Sequence, residues 1–149
     1  MSEHTIRLEW SFAPHATRPD TYNRDHKAVY GAEVSLPVSA APSYLGNSEF
    51  ADPEQLLVNA LASCHMLYFL AICEGSGYVV NTYTDNAVGK VTKGADGGFW
   101  VSEIILRPQA TFSSEKQPDK EMLARLHHRA HKGCFIANSI KSEVRIQLD

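Results

Sequence analysis

DPEQLLVNALASCHMLYFLAICEG, residues 52–75, decides the fold of this chain. The stretch predicts one long helix with a cysteine near its middle. Asp52 caps it, Pro53 suits the first helical position, and Gln55 stands at the capping-box spacing from Asp52. Leu57, Leu61, Cys64, Tyr68 and Ile72 follow steps of three and four along one face. Leu56, Ala60, Leu67, Leu70 and Ala71 fill much of the rest, and a helix apolar nearly all round is usually buried. Gly75 and Gly77 end it. At roughly 1.5 Å per residue the helix is about 33 Å long, the span of a small domain. Asn59, Ser63 and His65 interrupt the apolar run, which falls short of the roughly 18 uninterrupted residues of a membrane span. The expectation is the buried central helix of a soluble domain.

Outward from this helix, the flanks read as strands. Ile6, Leu8, Trp10 and Phe12 alternate with Thr5, Arg7, Glu9 and Ser11, predicting a strand over 5–12 with one buried face. Residues 13–27, APHATRPDTYNRDHK, are polar and proline-bearing and predict a loop; Lys27–Val34 predicts a second strand. Residues 37–51 predict a long irregular approach to the helix, of the kind that often lines a site. After the helix, Tyr78–Thr92 and Phe99–Phe112 predict the two arms of a hairpin around Lys93–Gly98. Pro118–Lys132 predicts a second helix with Met122, Leu123, Leu126 and Ala130 as its apolar face and Gly133 as its stop. Cys134–Lys141 predicts one or two helical turns, and Val144, Ile146 and Leu148 a last strand. The order β–β–helix–β–β–helix–β is an α+β pattern with mostly antiparallel sheet, in a single domain over residues 1–149.

Composition narrows the function. The net charge is −3 with both signs spread along the chain, so there is no basic stripe for nucleic acid and no polybasic tail for a membrane. MSEHTIRLEW carries no basic-then-apolar signal pattern. Three cysteines are too few for a secreted disulfide framework and point to a reducing cytoplasm, where a thiol is inert, catalytic or a ligand.

Cys64 and Cys73 are nine residues apart on one helix, which is about 180° of rotation and about 13 Å of rise. Such a pair cannot bridge, because a disulfide needs Cα atoms within about 7 Å. That leaves Cys134 as the intrachain partner of either. Cys64 is the better candidate for chemistry, since it shares a continuous face with Leu57, Leu61 and Tyr68. All three cysteines also fit plain core positions, free Cys being among the most buried residue types. Reactivity needs thiolate, and an ordinary thiol is only a few per cent ionised at neutral pH. Cys64 lies too deep in its helix to feel the dipole of the first turn, so its activating cation must come from elsewhere. Cys134, just after Gly133, is placed to start a short helix, and on this ground is the easier thiolate.

DPEQLLVNALASCHM, a second cysteine 70 residues later in KGCFIANSIKSEV, an upstream loop arginine and the β–β–helix order together resemble the OsmC/Ohr family of thiol-dependent hydroperoxide reductases. The resemblance covers most of the chain. It implies that Cys64 is the peroxidatic thiol and Cys134 the resolving one. Cys64 attacks the peroxide O–O bond to give a sulfenic acid, Cys134 condenses with it to a disulfide, and an external dithiol, possible in lipoyl form, restores both. It implies an arginine that polarises the first thiol, matched best by Arg24 with Arg18 as fallback, and a helix-start glutamate, Glu54, that holds it. Asn23-Arg24-Asp25-His26 stands where the family is usually glycine-rich. The family fold is an intertwined homodimer around the long central helices, which allows Arg24 to come from the partner chain. No cofactor is implied. Two other readings accompany it: a non-catalytic thiol sensor or small-ligand binder, and a metal site. The latter rests on His127, His131 and Cys134, spaced His-x3-His-x2-Cys, with Cys64 or His65 as a fourth ligand and His128 beside them.

Overall fold

Asp52 and Gln55 close a reciprocal pair of hydrogen bonds: the Gln55 amide donates to Asp52 Oδ1 at 2.7 Å and the Asp52 amide donates to Gln55 Oε1 at 3.0 Å. This is the capping box that the sequence predicts, and it starts the central helix α1, Pro53–Gly75. Its far end closes where predicted, with the Tyr78 amide donating back to the Cys73 carbonyl at 2.9 Å and Gly77 in the left-handed region at φ +76°. The computed structural model describes every residue except Glu33, Ser114 and Asp149. The chain is α+β, with a long central helix and mostly antiparallel sheets. It divides into two compact units, Met1–Leu56 and Leu57–Asp149, with the boundary inside α1.

The first unit holds a three-stranded antiparallel sheet of β1 (Arg7–Glu9), β2 (His26–Tyr30) and β3 (Val34–Val38), in that spatial order. Three differences from the sequence reading have physical causes. The strand predicted over 5–12 pairs only at Arg7–Glu9, and Ile6, Leu8, Trp10 and Phe12 are exposed in the single chain. The strand predicted over Lys27–Val34 stops at Tyr30, because Gly31 at φ +77° turns the chain into β3; Glu33, within that span, lies outside the described residues. The approach over 37–51 keeps Pro37 and Val38 in β3 and then folds tightly. The Ser39 amide donates to the Ala51 carbonyl at 2.9 Å, and buried Ser39 Oγ accepts from the Asn47 amide at 3.0 Å. Gly46 is required there, since a Cβ would fall 1.5 Å from the Ala40 carbonyl oxygen.

The second unit packs two small sheets with the helices. β4 (Val80–Asp85) pairs antiparallel with β7 (Pro108–Phe112). β5 (Val88–Lys93) pairs antiparallel with β6 (Phe99–Leu106), which also pairs in parallel with β8 (Glu143–Ile146). The predicted hairpin is therefore real, but each arm breaks once, at Asn86–Ala87 and at Arg107, so its two halves join different sheets. Asp85 fixes the corner: its Oδ1 accepts the Arg107 amide at 2.7 Å in place of a ladder bond. The second helix, α2, spans Lys120–Gly133, with Asp119 accepting the Met122 amide at 2.7 Å as its cap. Residues after Cys134 form hydrogen-bonded turns rather than the predicted helix, and Leu148 lies beyond β8.

Steps of four along α1 place Leu61, His65, Phe69 and Cys73 on its one fully buried stripe. Leu61 joins Ile104, Leu106 and Cys134 in one core; Phe69 and Cys73 join Leu126 and Ala130 in a second. α1 is long and apolar enough to cross a membrane, but its buried stripe is the link between these cores. Phe69 is packed by Tyr83, Phe112 and His127. Phe69→Ala is expected to destabilise the fold by about 3–5 kcal/mol, read as a lowered urea midpoint with unchanged slope.

Candidate active site

Two of the three cysteines meet. Cys64, half-buried near the middle of α1, and Cys134, fully buried just past the end of α2, pack in the same core, and both are free thiols. Local sequence sets this up. Gly133 ends α2 against the ring of Tyr68, one turn beyond Cys64 on α1; a Cβ on Gly133 would fall 2.7 Å from Tyr68 Cε1. The Cys134 amide then donates to the Ala130 carbonyl at 3.0 Å and the His131 carbonyl at 3.3 Å, which anchors the residue to the helix end. The Ala137 amide donates to Cys134 Sγ at 3.4 Å.

The electrostatics reverse one sequence expectation. Cys134 is not the easier thiolate: burial and then the neighbouring Cys64 side chain push its thiol up to about 11. No helix begins at Cys134, so the Ala137 amide opposes burial with one donor instead of a helix N-terminus. Cys73 is fully buried in the other core and burial raises its thiol to about 11, which fits the packing role that its position opposite Cys64 implies.

In the first unit, Arg24 lies 4.1 Å from the centroid of the Tyr22 ring and donates to Thr21 Oγ1 at 3.3 Å and to the Tyr22 carbonyl. It borders a mainly apolar cavity of about 390 Å³ whose walls include Trp10, Tyr22, Ala40 and Pro53. Trp10 is fixed there by its indole N–H, which donates to the Asn23 carbonyl at 3.0 Å. Glu54 is half-buried in the first turn of α1. The ion pair between Arg24 and Glu54 that the resemblance implies is not among those formed by the described residues. Arg18, the fallback, is exposed and paired with Asp20.

The histidines do something the sequence reading missed. His65 Nε2 and His127 Nδ1 are hydrogen-bonded at 3.0 Å, both residues are buried, and Phe69 stacks on His127 at 4.0 Å. Burial first, and then the charge that each would feel from a neighbouring histidine, lowers both to about 4. They are neutral at pH 7. The signal was present: His65 continues the Leu61–Phe69–Cys73 stripe, and His127 sits four residues after Leu123 beside Leu126. His127 Nδ1 is occupied by His65, His128 is exposed, and no group of three His, Cys, Asp or Glu among the described residues is placed to hold a metal.

Residues 46–149 match the family model described as OsmC-like protein. The chain belongs to this family. Among its relatives, the uncharacterized protein YmaD of Bacillus subtilis (strain 168) is 30% identical over 107 residues, 70% of this chain and 69% of that one. An OsmC-like protein of unknown function from Vibrio cholerae superposes with a TM-score of 0.92 at 38% identity, covering 100% of both chains. The organic hydroperoxide resistance protein OhrB of Bacillus subtilis superposes with a TM-score of 0.71 over 99% of this chain and 98% of its own. At 15% identity that likeness is one of fold.

Two outcomes follow for this OsmC-like chain. Gly133→Ala forces the end of α2 and Tyr68 apart, so diamide should form the Cys64–Cys134 disulfide more slowly, with a stability loss of about 1–3 kcal/mol. A rate equal to that of the unmodified protein would mean that this close approach does not set the sulfur separation. For the buried histidine pair, the folded pKa lies below the unfolded value of about 6.5, so the unfolded chain binds protons that the folded chain refuses. Stability is full above pH 6.5 and is lost as pH falls towards 4, by up to about 1.4 kcal/mol per pH unit for each histidine. Urea midpoints between pH 7 and 5, above most carboxylate titration, measure it.

Proposed function

We propose that this protein reduces organic hydroperoxides, and to some extent hydrogen peroxide, through a two-cysteine cycle. The packing of Cys64 against the core that holds Cys134 carries the reading, because a disulfide cycle needs a resolving sulfur near the attacking one. Family membership and the fold shared with proteins named for organic hydroperoxide resistance support it. Cys64 thiolate attacks the distal peroxide oxygen, the O–O bond breaks, and the alkoxide leaves with a proton as the alcohol. Cys134 then attacks the sulfenic sulfur, releasing water and forming the disulfide. An external dithiol, of lipoyl type or similar, reduces the pair and is itself oxidised. No cofactor takes part.

In this reading the Arg24 guanidinium supplies the positive charge that a mid-helix thiolate lacks, and Glu54 orients it. The working unit is a homodimer of the whole 149-residue domain in the cytoplasm. Large apolar side chains left exposed support the dimer: Trp10 at 51% and Phe12 at 73% in the first unit, Leu67 at 61% and Val79 at 60% in the second.

The test is consumption of cumene hydroperoxide and hydrogen peroxide under dithiothreitol and, separately, dihydrolipoamide. Cys64→Ser should abolish turnover, Cys134→Ser should lower it and leave a trappable sulfenic acid, and Cys73→Ser should leave it unchanged. Arg24→Ala should lower kcat/KM by roughly a hundredfold, as loss of a charge-stabilising donor does. Absence of turnover with either dithiol, in folded protein with accessible thiols, would exclude the peroxidase and favour a sensing role.

A further inference from the structure

The cavity of about 390 Å³ at one end of the first unit's sheet is built by strand register. β2 and β3 pair antiparallel with His26 opposite Val38. The same register, continued past the ladder, carries Arg24 toward Ala40, with Ser39 beside it. Two isolated bridges bring in the remaining walls. Tyr22 pairs with Pro14, which folds the chain back from Trp10, and Ala51 pairs with Val38, which sets Pro53 alongside. All the lining residues belong to Met1–Leu56, and the volume is in the range of sites for small molecules.

Its walls have unspent chemistry. The rings of Trp10 and Tyr22 meet edge to face, with centroids 6.2 Å apart and planes at 89°, and so form a right-angled apolar corner. Trp10 is fixed in advance, since its indole N–H is bound to the Asn23 carbonyl. Half-buried Arg24 uses one amino group on Thr21 Oγ1 and the Tyr22 carbonyl. Among the described residues its Nε and second amino group donate to nothing and no carboxylate pairs with it. No Asp or Glu among the described residues lines the cavity. Ser39 is fully buried, and its Oγ accepts the Asn47 amide at 3.0 Å. The hydrogen of that hydroxyl has no acceptor among the described residues, which is unusual for a buried donor. His26 spends its Nδ1 on the Arg24 carbonyl at 2.9 Å.

We propose that this cavity binds a small aromatic carboxylate. The carboxylate oxygens accept from the Arg24 guanidinium and the Ser39 hydroxyl, and the ring sits in the Trp10–Tyr22 corner against Ala40 and Pro53. Each part of the ligand answers a feature of the walls. A guanidinium edge matches the two oxygens of a carboxylate. A flat ring gains face contact with one aromatic side chain and edge contact with the other. A neutral ligand would leave the Arg24 charge uncompensated among apolar groups, and a cation would be repelled by it. A bare anion would leave the aromatic corner empty. The site shares Arg24 with the proposed peroxidase but is independent of its cycle, since it uses no cysteine and its test reads binding, not turnover.

The experiment titrates the reduced protein with benzoate, benzamide and acetate by isothermal calorimetry. A parallel titration follows tryptophan emission in Trp100→Phe, which leaves Trp10 as the one reporter of the two tryptophans. Benzoate should bind once per chain and change the Trp10 emission, with benzamide and acetate at least about tenfold weaker, as loss of a charge-assisted hydrogen bond or of the ring contact predicts. Arg24→Gln should weaken benzoate about ten- to a hundredfold. Benzamide binding as well as benzoate would mean a merely apolar cavity, and acetate binding as well as benzoate a bare anion site; either overturns the proposal. So does the absence of benzoate binding in the millimolar range, or full affinity in Arg24→Gln. If circular dichroism shows that Arg24→Gln does not fold, the comparison of benzoate with benzamide on the unmodified protein decides the matter.

Discussion

The close approach of Gly133 to Tyr68 is the constraint on which the candidate site depends. With no Cβ, the last residue of α2 seats against the Tyr68 ring, and the next residue is Cys134. Cys64 is one turn before Tyr68 on α1, so contact at the ring brings both cysteines into one core. The two core clusters of the second unit secure this arrangement. Cys134 itself belongs to the first, with Leu61, Ile104 and Leu106, and α2 is held by the second through Leu126 and Ala130. Removing a core side chain therefore acts on the sulfur pair through the helix crossing as well as on stability.

Burial sets the electrostatics of this region more than charge does. Desolvation is the first cause of the raised thiols at Cys134 and Cys73 and of the lowered imidazoles at His65 and His127. It acts in one sense on all four groups, favouring the neutral form. A site built this way holds its protons until a reaction generates charge. Cys64, half-buried, is the one cysteine of the three that is not fully buried. In the proposed cycle, this gradient of burial fits attack by Cys64 first and engagement of Cys134 afterwards.

Much of the fold was legible because local rules and tertiary packing agree. The capping box at Asp52, the stops at Gly75 and Gly77, α2 with its Leu126–Ala130 stripe, and the hairpin turn around Lys93–Gly98 all follow from residue type and spacing. What could not be read depends on tertiary contacts. The hairpin arms look continuous in sequence, and only the Asp85 side chain taking the Arg107 amide breaks them. Periodicity chose Leu57, Leu61, Cys64, Tyr68 and Ile72 as one face, whereas the buried stripe is Leu61, His65, Phe69 and Cys73. A helix apolar on nearly every side gives periodicity little to discriminate with, and a histidine in its middle reads as polar until its partner across the fold is known. Cys134 misled for a related reason: Gly133 announces a helix end, but whether a new helix or a set of turns follows depends on how 135–141 pack.

The same all-round apolarity bears on what the single chain leaves unfinished. α1 buries four residues completely, fewer than its composition would supply, and Leu67 on its other side stays open to solvent. In the first unit the alternation Ile6, Leu8, Trp10, Phe12 encodes a buried face that the chain does not bury. Arg24 meanwhile rests on Tyr22 and main-chain oxygen, and Glu54 has no ion pair among the described residues. Apolar faces without cover and opposite charges without each other occur in one molecule, and in the proposed homodimer a second copy would supply both needs at once. Burying those faces adds stability in proportion to area, at about 25 cal/mol per Å². It also lowers the local dielectric around Arg24 and Glu54, which strengthens any ion pair they then make. In that proposed dimer hydrophobic association would come first and the Arg24–Glu54 arrangement would be its consequence.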